Sequence, residues 1–415
     1  MIPLMNSLQF PNKTLKLVAA LALVCLPLTL PASPLDSSGQ LRNSSHASQF
    51  EQQLITSLRD IQERRLDGAL EKLGSLIEEN PKFKLAQLIY GDMLLAKAAP
   101  IDEFGNPYSN NVNSELSGLR NEVQARWQHH NQDHEAGYIP SNLLTLNASI
   151  KHVVVIDLSK SRLYLYKHDA GELELLTDYY ASFGKNGIGK KLEGDKKTPI
   201  GVYHITDYLS PQSLPDFYGA GAFPINYPNA LDKIQGRTGH GIWLHGTPLD
   251  TYSRPPQTSD GCVSLSNIDL EAIKPQLRAG HIPVIIAESI DWIKKDHNLS
   301  LKNEFESVLG AWKNDWTSLD SDQYLENYSR SFRGKTMNYA RWSKHKRRVN
   351  KQKTFVNVEL KKVNIFAFPG DQNMRVVSFQ QKYTSNNYSQ SSHKQQYWKR
   401  EKDGVWRIIF EGPAS

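Results

Sequence analysis

A cysteine and a histidine are the residues of this sequence best suited to covalent chemistry. Cys262 lies in the segment Ser259–Ser264, and His245 lies 17 residues before it, directly ahead of Gly246. An imidazole that takes the thiol proton converts a cysteine into a nucleophile that attacks acyl carbons. The pair therefore predicts Cys262 as a nucleophile and His245 as its general base. The alternative is a buried thiol that acts only as a small hydrophobic group.

Glycines beside both residues offer backbone groups to the same chemistry. The carbonyl of Gly246 is placed to hold the imidazole in one tautomer, a role that Asp or Asn has in other triads. Gly261, directly before Cys262, permits a tight turn that directs backbone N–H groups at a developing oxyanion. The sequence therefore predicts a catalytic group in which the third member is a backbone carbonyl.

The second cysteine, Cys25, falls in an N-terminal segment with the features of an export signal. A positive region precedes the apolar run Leu17–Leu30, which is too short to span a bilayer, and small residues follow it. We expect residues 1–32 to be a removed signal peptide, residues 33–48 a flexible leader, and the mature protein to be periplasmic. An uncleaved anchor helix is the alternative. After cleavage Cys262 has no partner for an internal disulfide.

Composition and charge limit the number of domains and the kinds of partner that the protein can have. A length of 415 residues and a mean hydropathy of −0.52 fit a globular protein of more than one domain. Residues 301–415 hold 21 Lys and Arg against 11 Asp and Glu, within a chain of net charge +6. In an exported protein this basic region indicates a glycan or anionic envelope polymer as partner, not nucleic acid; a solvated charged surface is the alternative. No zinc, nucleotide or flavin signature is present in the sequence, so we expect no metal and no cofactor.

Helical periodicity dominates residues 49–135. The segment Ala69–Ala96 resembles a tetratricopeptide-like helix pair, and one such unit is too small to be stable alone. We therefore expect it to pack on the next domain or on a second copy of the chain, which would make a homodimer. His129, His130 and His134 are interpreted as a solvated polar turn, because no other ligands complete a metal site.

Strand patterns dominate residues 150–290. Short β-branched and aromatic runs are separated by Gly and Pro turns, at 153–157, 163–166, 173–180, 201–205, 241–245 and 282–286. A single helical pattern, Asp269–Leu277, interrupts them. Residues 301–415 predict a helix over 305–332 followed by four long strands, which indicates a small α+β domain.

Several separated motifs of the β-rich region resemble the L,D-transpeptidase catalytic (YkuD-type) family. They are Gly194–Tyr203, His245–Thr247, Ser259–Val263, Asn267 and Asp269, and both their order and their spacing agree with the family. The resemblance implies a mostly-β fold and a cysteine that attacks the bond between meso-diaminopimelate and D-Ala in a peptidoglycan tetrapeptide. Peptidoglycan stem peptides are then the expected partner.

The resemblance also implies roles for individual residues. Cys262 is the nucleophile, His245 the base and Gly246 the group that orients the imidazole. The amides of Gly261 and Cys262 are candidates for the oxyanion hole, and Ser259 is expected to shape their turn. Residues on the substrate side are Tyr227, Thr247 and Ser264.

Two positions depart from the pattern of the family. Many members carry His where this chain has Asp260, and a carboxylate there raises the pKa of the thiol unless it points outward or meets a cation. Many members carry Arg where this chain has Ser264, so the carboxylate of the donor must be held differently. Both departures leave the identity of the acceptor open.

The C-terminal region resembles a nuclear transport factor 2-like fold, through Trp312, Tyr324, Tyr328, Phe332, the 342–348 run, the 380–383 strand and the 406–409 strand. Behind an L,D-transpeptidase-type domain, such a fold resembles the L,D-carboxypeptidases that trim tetrapeptides and set cell shape. The sequence thus predicts a multidomain protein with an N-terminal helical region, a mostly-β catalytic domain and a C-terminal α+β domain. Its predicted function is that of a peptidoglycan L,D-transpeptidase. The alternatives are an L,D-carboxypeptidase with water as acceptor and a non-catalytic envelope-binding scaffold.

Overall fold

The computed structural model describes residues 49–98, 104–105, 114–131, 137–278 and 281–414. The predicted signal peptide and leader, and His134, lie outside these residues. Among the helices that are described, none has the length and apolar character that crossing a bilayer requires.

Four helices form the N-terminal region: α1 (Gln49–Gln62), α2 (Leu66–Glu79), α3 (Lys84–Ala96) and α4 (Ser114–His130). Apolar residues at helical spacing, such as Leu54 and Leu58 in α1 and Leu73 and Leu76 in α2, are buried together. Tyr252 from the catalytic domain completes this core. The helices therefore pack on the next domain, and the homodimer stays a prediction.

The catalytic domain is built mainly from short strands. Its elements are β1 (Tyr138–Pro140), β2 (Leu143–Thr145), β3 (His152–Asp157), β4 (Arg162–Asp169), β5 (Glu172–Tyr180), β6 (Phe183–Gly184), β7 (Gly201–His204), β8 (Ala222–Pro224), α5 (Ala230–Ile234), β9 (Trp243–His245), β10 (Gln257–Ser259), β11 (Val263–Ser264), α6 (Asn267–Leu277), β12 (Pro283–Ala287) and β13 (Trp292–Lys294). A five-stranded sheet has the order β5-β4-β3-β12-β7, and a three-stranded sheet has the order β11-β9-β8.

The five-stranded sheet is buried on both faces, which explains its nearly continuous apolar strands. In β3, Val154 and Ile156 face the core that the sheet shares with α6 and the catalytic strands. Val153 and Val155 face the opposite way and pack against the C-terminal domain. Alternate residues of β3 thus belong to two different hydrophobic cores, one on each face of the sheet.

The C-terminal domain places helices against a long antiparallel sheet. Its elements are α7 (Lys295–Thr317), α8 (Ser321–Glu326), β14 (Tyr328–Gly334), α9 (Tyr339–Asn350), β15 (Val356–Phe368), β16 (Asp371–Ser385), β17 (Tyr388–Arg400) and β18 (Trp406–Pro413). The sheet order is β14-β18-β17-β16-β15-β2, so β2 of the preceding segment extends it. The multidomain fold class predicted from the sequence is confirmed.

Two local predictions are wrong. The helix expected over 305–332 ends at Thr317, and Tyr328–Gly334 is a strand that pairs with β18. His129 and His130 do not form a solvated turn: they end α4 with buried side chains. His129 Nε2 lies 2.8 Å from Asp178 Oδ1. Burial lowers the pKa of His129 to about 4, so the ring is neutral near pH 7.

Candidate active site

Two short parallel strands bring Cys262 and His245 to neighbouring positions in one sheet. β11 pairs with β9 so that Val263 lies opposite Leu244 and Ser264 opposite His245. Continuing this register by one residue places Cys262 beside Trp243. Trp243 and His245 are two residues apart on one strand and share a face. The thiol and the imidazole therefore lie on the same face of the sheet.

The imidazole of His245 is held in one tautomer. Nδ1–H donates a hydrogen bond of 2.6 Å to the carbonyl of Gly246, so the proton is on Nδ1 and Nε2 carries the lone pair. Nε2 is buried and has no hydrogen-bond partner among the described residues. Burial lowers the pKa of His245 to about 4, which leaves the ring neutral and able to accept a proton.

Aromatic rings enclose this imidazole. The centroid of the Tyr218 ring lies 5.1 Å from that of His245, and the centroid of the Phe217 ring lies 5.9 Å from it. Tyr218 also packs on Trp243, with ring centroids 4.8 Å apart. These rings remove water from the base and account for its burial. Phe217 and Tyr218 were not predicted from the sequence, because they precede His245 by more than twenty residues and belong to no motif.

The thiol of Cys262 is partly accessible and neutral at rest. Sγ lies 3.3 Å from the carbonyl of Gly241, to which the S–H donates. Burial, with a smaller contribution from Asp260, raises the pKa of the thiol to about 11. Since the imidazole is also neutral, the resting pair is thiol and imidazole and not thiolate and imidazolium.

The turn before Cys262 depends on Ser259 and Gly261. Ser259 Oγ accepts from the Gly261 amide at 3.1 Å and donates to the Cys262 carbonyl at 2.6 Å. Gly261 has φ +125°, and a Cβ there would lie 2.8 Å from the carbonyl oxygen of Lys197. The Gly261 amide is thus engaged in the turn, and the oxyanion prediction depends on the Cys262 amide.

Thr198 ties this turn to the rest of the domain. Its buried hydroxyl donates to the Gly261 carbonyl at 3.0 Å and accepts from the Gly184 amide at 2.9 Å. Asp195 organises the loop before it, and accepts hydrogen bonds from Lys190 and from the amides of residues 191, 192 and 197. Burial opposes ionisation of Asp195, but these donors lower its pKa to about 2. The 194–203 motif therefore supports the nucleophile.

Gly246 is required by close packing as well as by its carbonyl. A Cβ at this position would lie 2.1 Å from Asn267 Oδ1. That oxygen accepts from the Ala220 amide at 2.8 Å, and Asn267 Nδ2 donates to the Thr247 carbonyl at 2.9 Å. Asn267 thus joins the loop that carries the aromatic rings to the strand that carries the base.

The three predicted substrate-side residues are engaged in internal contacts. The Tyr227 hydroxyl donates to the Thr238 carbonyl at 3.1 Å, and Thr247 Oγ1 donates to the Thr251 carbonyl at 2.8 Å. Ser264 Oγ lies 2.9 Å from Ser182 Oγ. These bonds hold loops and strands in place, and a direct role in substrate binding stays a prediction for all three.

Asp260 both points outward and meets a cation, and each of these features weakens its effect on the thiol. Its carboxylate is exposed, and Oδ1 lies 2.9 Å from Lys185 Nζ. The hydrogen bond from Lys185 lowers the pKa of Asp260, so this carboxylate is ionised but paired. The departure at this position therefore leaves the thiol usable.

Comparison with known proteins agrees with this geometry. Residues 151–286 match the family described as L,D-transpeptidase catalytic domain. These residues form an L,D-transpeptidase catalytic domain. Residues 304–412 match the family described as Cds6 C-terminal NTF2-like domain. Both resemblances found in the sequence are confirmed.

Two solved structures resemble about two thirds or more of the chain. Bd1075 of Bdellovibrio bacteriovorus is 27% identical with a TM-score of 0.58, and the match covers 67% of this chain and 99% of that one. Pgp2 of Campylobacter jejuni, described as a helical cell shape determining protein, is 27% identical with a TM-score of 0.55. That match covers 71% of this chain and 99% of the other. No curated protein sequence matches the chain.

Proposed function

We propose that this protein cleaves the bond between diaminopimelate and D-Ala in peptidoglycan tetrapeptide stems through a thioester on Cys262. The observation that carries the proposal is the tautomer of His245, whose Nε2 lone pair lies on the same sheet face as the thiol. The match to the L,D-transpeptidase catalytic domain supports peptidoglycan as the substrate class.

The proposed first step moves one proton and forms one bond. His245 Nε2 takes the proton of the thiol as Sγ attacks the carbonyl carbon of diaminopimelate, which gives a tetrahedral oxyanion. The imidazolium then gives this proton to the departing nitrogen of D-Ala, and the thioester remains. The Gly246 carbonyl stabilises the imidazolium, because it accepts from Nδ1–H.

An incoming nucleophile resolves the thioester in the second step. Its proton passes to Nε2, its electron pair forms the new bond to the acyl carbon, and Cys262 leaves and is reprotonated. An amine of a second stem gives an L,D-transpeptidase, which is the reaction the catalytic motifs predict. Water gives an L,D-carboxypeptidase. The match of residues 304–412 to an NTF2-like domain and the likeness to Pgp2, a helical cell shape determining protein, support that second reaction.

A cleft near the segment that precedes Cys262 offers room for a polar polymer, although neither Cys262 nor His245 is among the residues that line it. It has a volume of about 980 Å³ and lies between α4 and the segment 255–258, which leads into the turn before Cys262. Amide side chains line it, among them Asn121, Gln124 and Gln257. Such groups exchange hydrogen bonds with peptides and sugars, which supports a stem peptide or its glycan as the occupant.

Product analysis of one digest tests the proposal. The purified chain is incubated with tetrapeptide muropeptides and the products are identified by mass spectrometry. We expect release of D-Ala, with tripeptide monomers for hydrolysis and dimers joined between two diaminopimelate residues for transpeptidation. Cys262→Ala and His245→Ala are each expected to lower turnover by roughly 10³-fold or more.

Cys262→Ala with full turnover would show that the thiol is not the nucleophile. A wild-type protein that neither turns over muropeptides nor is acylated by a carbapenem would support the scaffold alternative. Intact-mass measurement of the acyl-enzyme separates these cases, because only a nucleophilic Cys262 gains the mass of the acyl group.

We also propose that the C-terminal domain contacts glycan or an anionic envelope polymer. Lys346 Nζ lies 4.5 Å from the ring centroids of both Trp316 and Trp342, which combines a cation with aromatic faces. Co-sedimentation of the full chain with purified sacculi tests this: Lys346→Ala is expected to weaken binding about tenfold, and the exposed control Lys382→Ala is expected to leave it unchanged. Steep loss of binding with salt would identify an anionic polymer.

The proposed location is the periplasm. It is supported by the positive region and the short apolar run of residues 1–32 in the sequence. N-terminal sequencing of the protein from a periplasmic fraction is expected to begin near Ser33. Recovery of the full-length chain from the membrane fraction would instead identify an anchor.

A further inference from the structure

Arg254 lies on the loop that joins the base to the nucleophile. The loop runs between His245 and Cys262, and two hydrogen bonds fix Arg254 on it. Its carbonyl accepts from the Tyr180 hydroxyl at 3.0 Å, and its Nη2 donates to the Thr258 carbonyl at 2.8 Å. The guanidinium is therefore held in place by both its backbone and its own head group.

The guanidinium and the imidazole of His245 both lie against the ring of Phe217. The central carbon of the guanidinium lies 5.0 Å from the ring centroid of Phe217, which in turn lies 5.9 Å from that of His245. Although burial raises the pKa of the Cys262 thiol, the positive charge of Arg254 acts on this thiol in the opposite direction. Arg254 thus lies close enough to Cys262 for its charge to favour the thiolate.

One end of this guanidinium is unsatisfied. Nη1 is buried and has no hydrogen-bond partner among the described residues. An unpaired donor of a charged group is costly to bury, and such groups in native structures call for an explanation. The charge of Asp260 attracts Arg254, but the Asp260 carboxylate is paired with Lys185, with Oδ1 2.9 Å from Nζ. Among the described residues, no carboxylate is hydrogen-bonded to Nη1 of Arg254.

The proposed substrate carries a carboxylate close to the bond that is cleaved. When the bond to a terminal D-Ala is cleaved, the free carboxylate is separated from the attacked carbonyl carbon by only the amide nitrogen and one Cα. That spacing is about 4–5 Å, so the carboxylate enters the same desolvated site as the thiol. A guanidinium binds a carboxylate through two parallel N–H donors, which fits a guanidinium that is hydrogen-bonded at Nη2 and unpaired at Nη1.

We propose that Arg254 binds the terminal carboxylate of the leaving D-amino acid. It thereby makes the site specific for stems that end one residue beyond the cleaved bond. This inference depends on the proposed function for the identity of the peptide. It also accounts for position 264, where Ser264 is bonded to Ser182 and supplies no cation.

Three synthetic tetrapeptides test the assignment with the full chain: the free acid, the amide of the terminal D-Ala, and a peptide amidated on the side-chain carboxylate of diaminopimelate. We expect kcat/KM for the terminal amide to be about 10- to 100-fold below that for the free acid, the value of a hydrogen-bonded ion pair. The diaminopimelate amide is expected to match the free acid.

Variants locate the preference on one side chain. Arg254→Gln is expected to lower kcat/KM for the free acid to the level of the terminal amide, with the value for the amide unchanged, and Arg254→Lys to retain part of the preference. Arg278→Gln, at an arginine that packs on Tyr208, is the matched control and keeps it. Equal use of acid and amide by the wild type would overturn the inference without any variant.

A second measurement is independent of the peptide. Cys262 is alkylated with iodoacetate, which is anionic, and with iodoacetamide, which is neutral. Arg254→Gln is expected to lower the ratio of the two rates about tenfold, and Arg278→Gln to leave it unchanged. A lower ratio without muropeptide turnover supports the anion site and refutes the proposed function. An unchanged ratio, with turnover that ignores the terminal carboxylate, refutes the role of Arg254 and keeps the function.

Discussion

At the scale of single residues, burial determines the protonation states of Cys262 and His245 more than attraction between charges does. Removal of water raises the pKa of Cys262 and lowers that of His245, so both groups are neutral over the physiological range. In the proposed mechanism, a thiolate forms only as the substrate is attacked, when the imidazole takes the proton. This differs from cysteine enzymes that store a thiolate–imidazolium pair.

The pH dependence of alkylation tests this resting state. Since the pKa of the Cys262 thiol is raised to about 11, its thiolate fraction grows with pH throughout the neutral range. The rate of alkylation by iodoacetamide is expected to rise about tenfold per pH unit between about pH 7 and pH 10. Asp260→Asn removes a nearby negative charge and is expected to raise the rate about threefold near pH 8. A rate that is constant from about pH 5 to pH 8 would contradict a neutral pair.

At the scale of elements, the N-terminal helices fix the loop that carries Arg254. The Tyr252 ring packs on Phe83 at 4.4 Å and on Phe50 at 5.7 Å between centroids. The Tyr252 amide donates to the Lys82 carbonyl at 3.2 Å, and Ser253 Oγ donates to Glu122 of α4 at 2.6 Å. The helical region thus acts as a support for the active site.

Tyr252→Ala tests this support. Loss of a buried aromatic side chain is expected to lower the free energy of unfolding by about 3 kcal/mol. We also expect kcat/KM to fall at temperatures where the variant is still folded, because Thr247 and Arg254 lose the backbone position that the loop gives them. Denaturant unfolding followed by fluorescence, together with muropeptide turnover, measures both effects. Tyr388→Ala, at an exposed ring, is the control, and equal results for the two variants would exclude the support.

Features that lie in one short motif could be predicted from the sequence, whereas features that depend on contacts between elements could not. The Cys262 and His245 pair was predictable because the residue types and the adjacent glycines lie in short continuous motifs. The packing of Arg254 on Phe217 and the bonds of Thr198 to Gly184 and Gly261 were not predictable, since only the folded chain brings these groups together. In β14, Tyr328 and Phe332 are four residues apart, a spacing that fits a helix and a strand alike, and pairing with β18 decides between them.

At the scale of the whole molecule, a buried charge cluster joins the helical region to the catalytic domain. Glu51 of α1 accepts from Arg162 of β4 through both oxygens, at 2.7 and 2.9 Å. Arg126 of α4 lies 3.1 Å from the same carboxylate. Glu51 and Arg162 are at most 1% exposed. A buried charge that loses its partner is strongly destabilising, so the cluster makes the two regions interdependent.

Replacing Glu51 with Gln keeps the shape of the side chain and removes its charge. The variant leaves Arg162 and Arg126 buried with less compensation, and the free energy of unfolding is expected to fall by about 3–5 kcal/mol near pH 7. Hydrogen exchange is expected to increase first in α1, which loses its anchor on β4. Glu172→Gln, which removes an exposed ion pair with Lys295, is the control and is expected to leave the free energy of unfolding nearly unchanged.

The pH dependence of this difference identifies the charge as its cause. Burial raises the pKa of Glu51, but Arg162 and Arg126 outweigh it and hold the pKa well below 4.5. Because the folded value is below the unfolded one, the carboxylate contributes stability above about pH 4.5 and loses it as the pH falls through the folded value. The stabilities of the wild type and Glu51→Gln are therefore expected to approach each other as the pH falls below about 4.5, and to converge only below the folded pKa of Glu51. A difference that persists unchanged in acid would assign the effect to packing, and no difference near neutral pH would show that the two regions are not joined through this cluster.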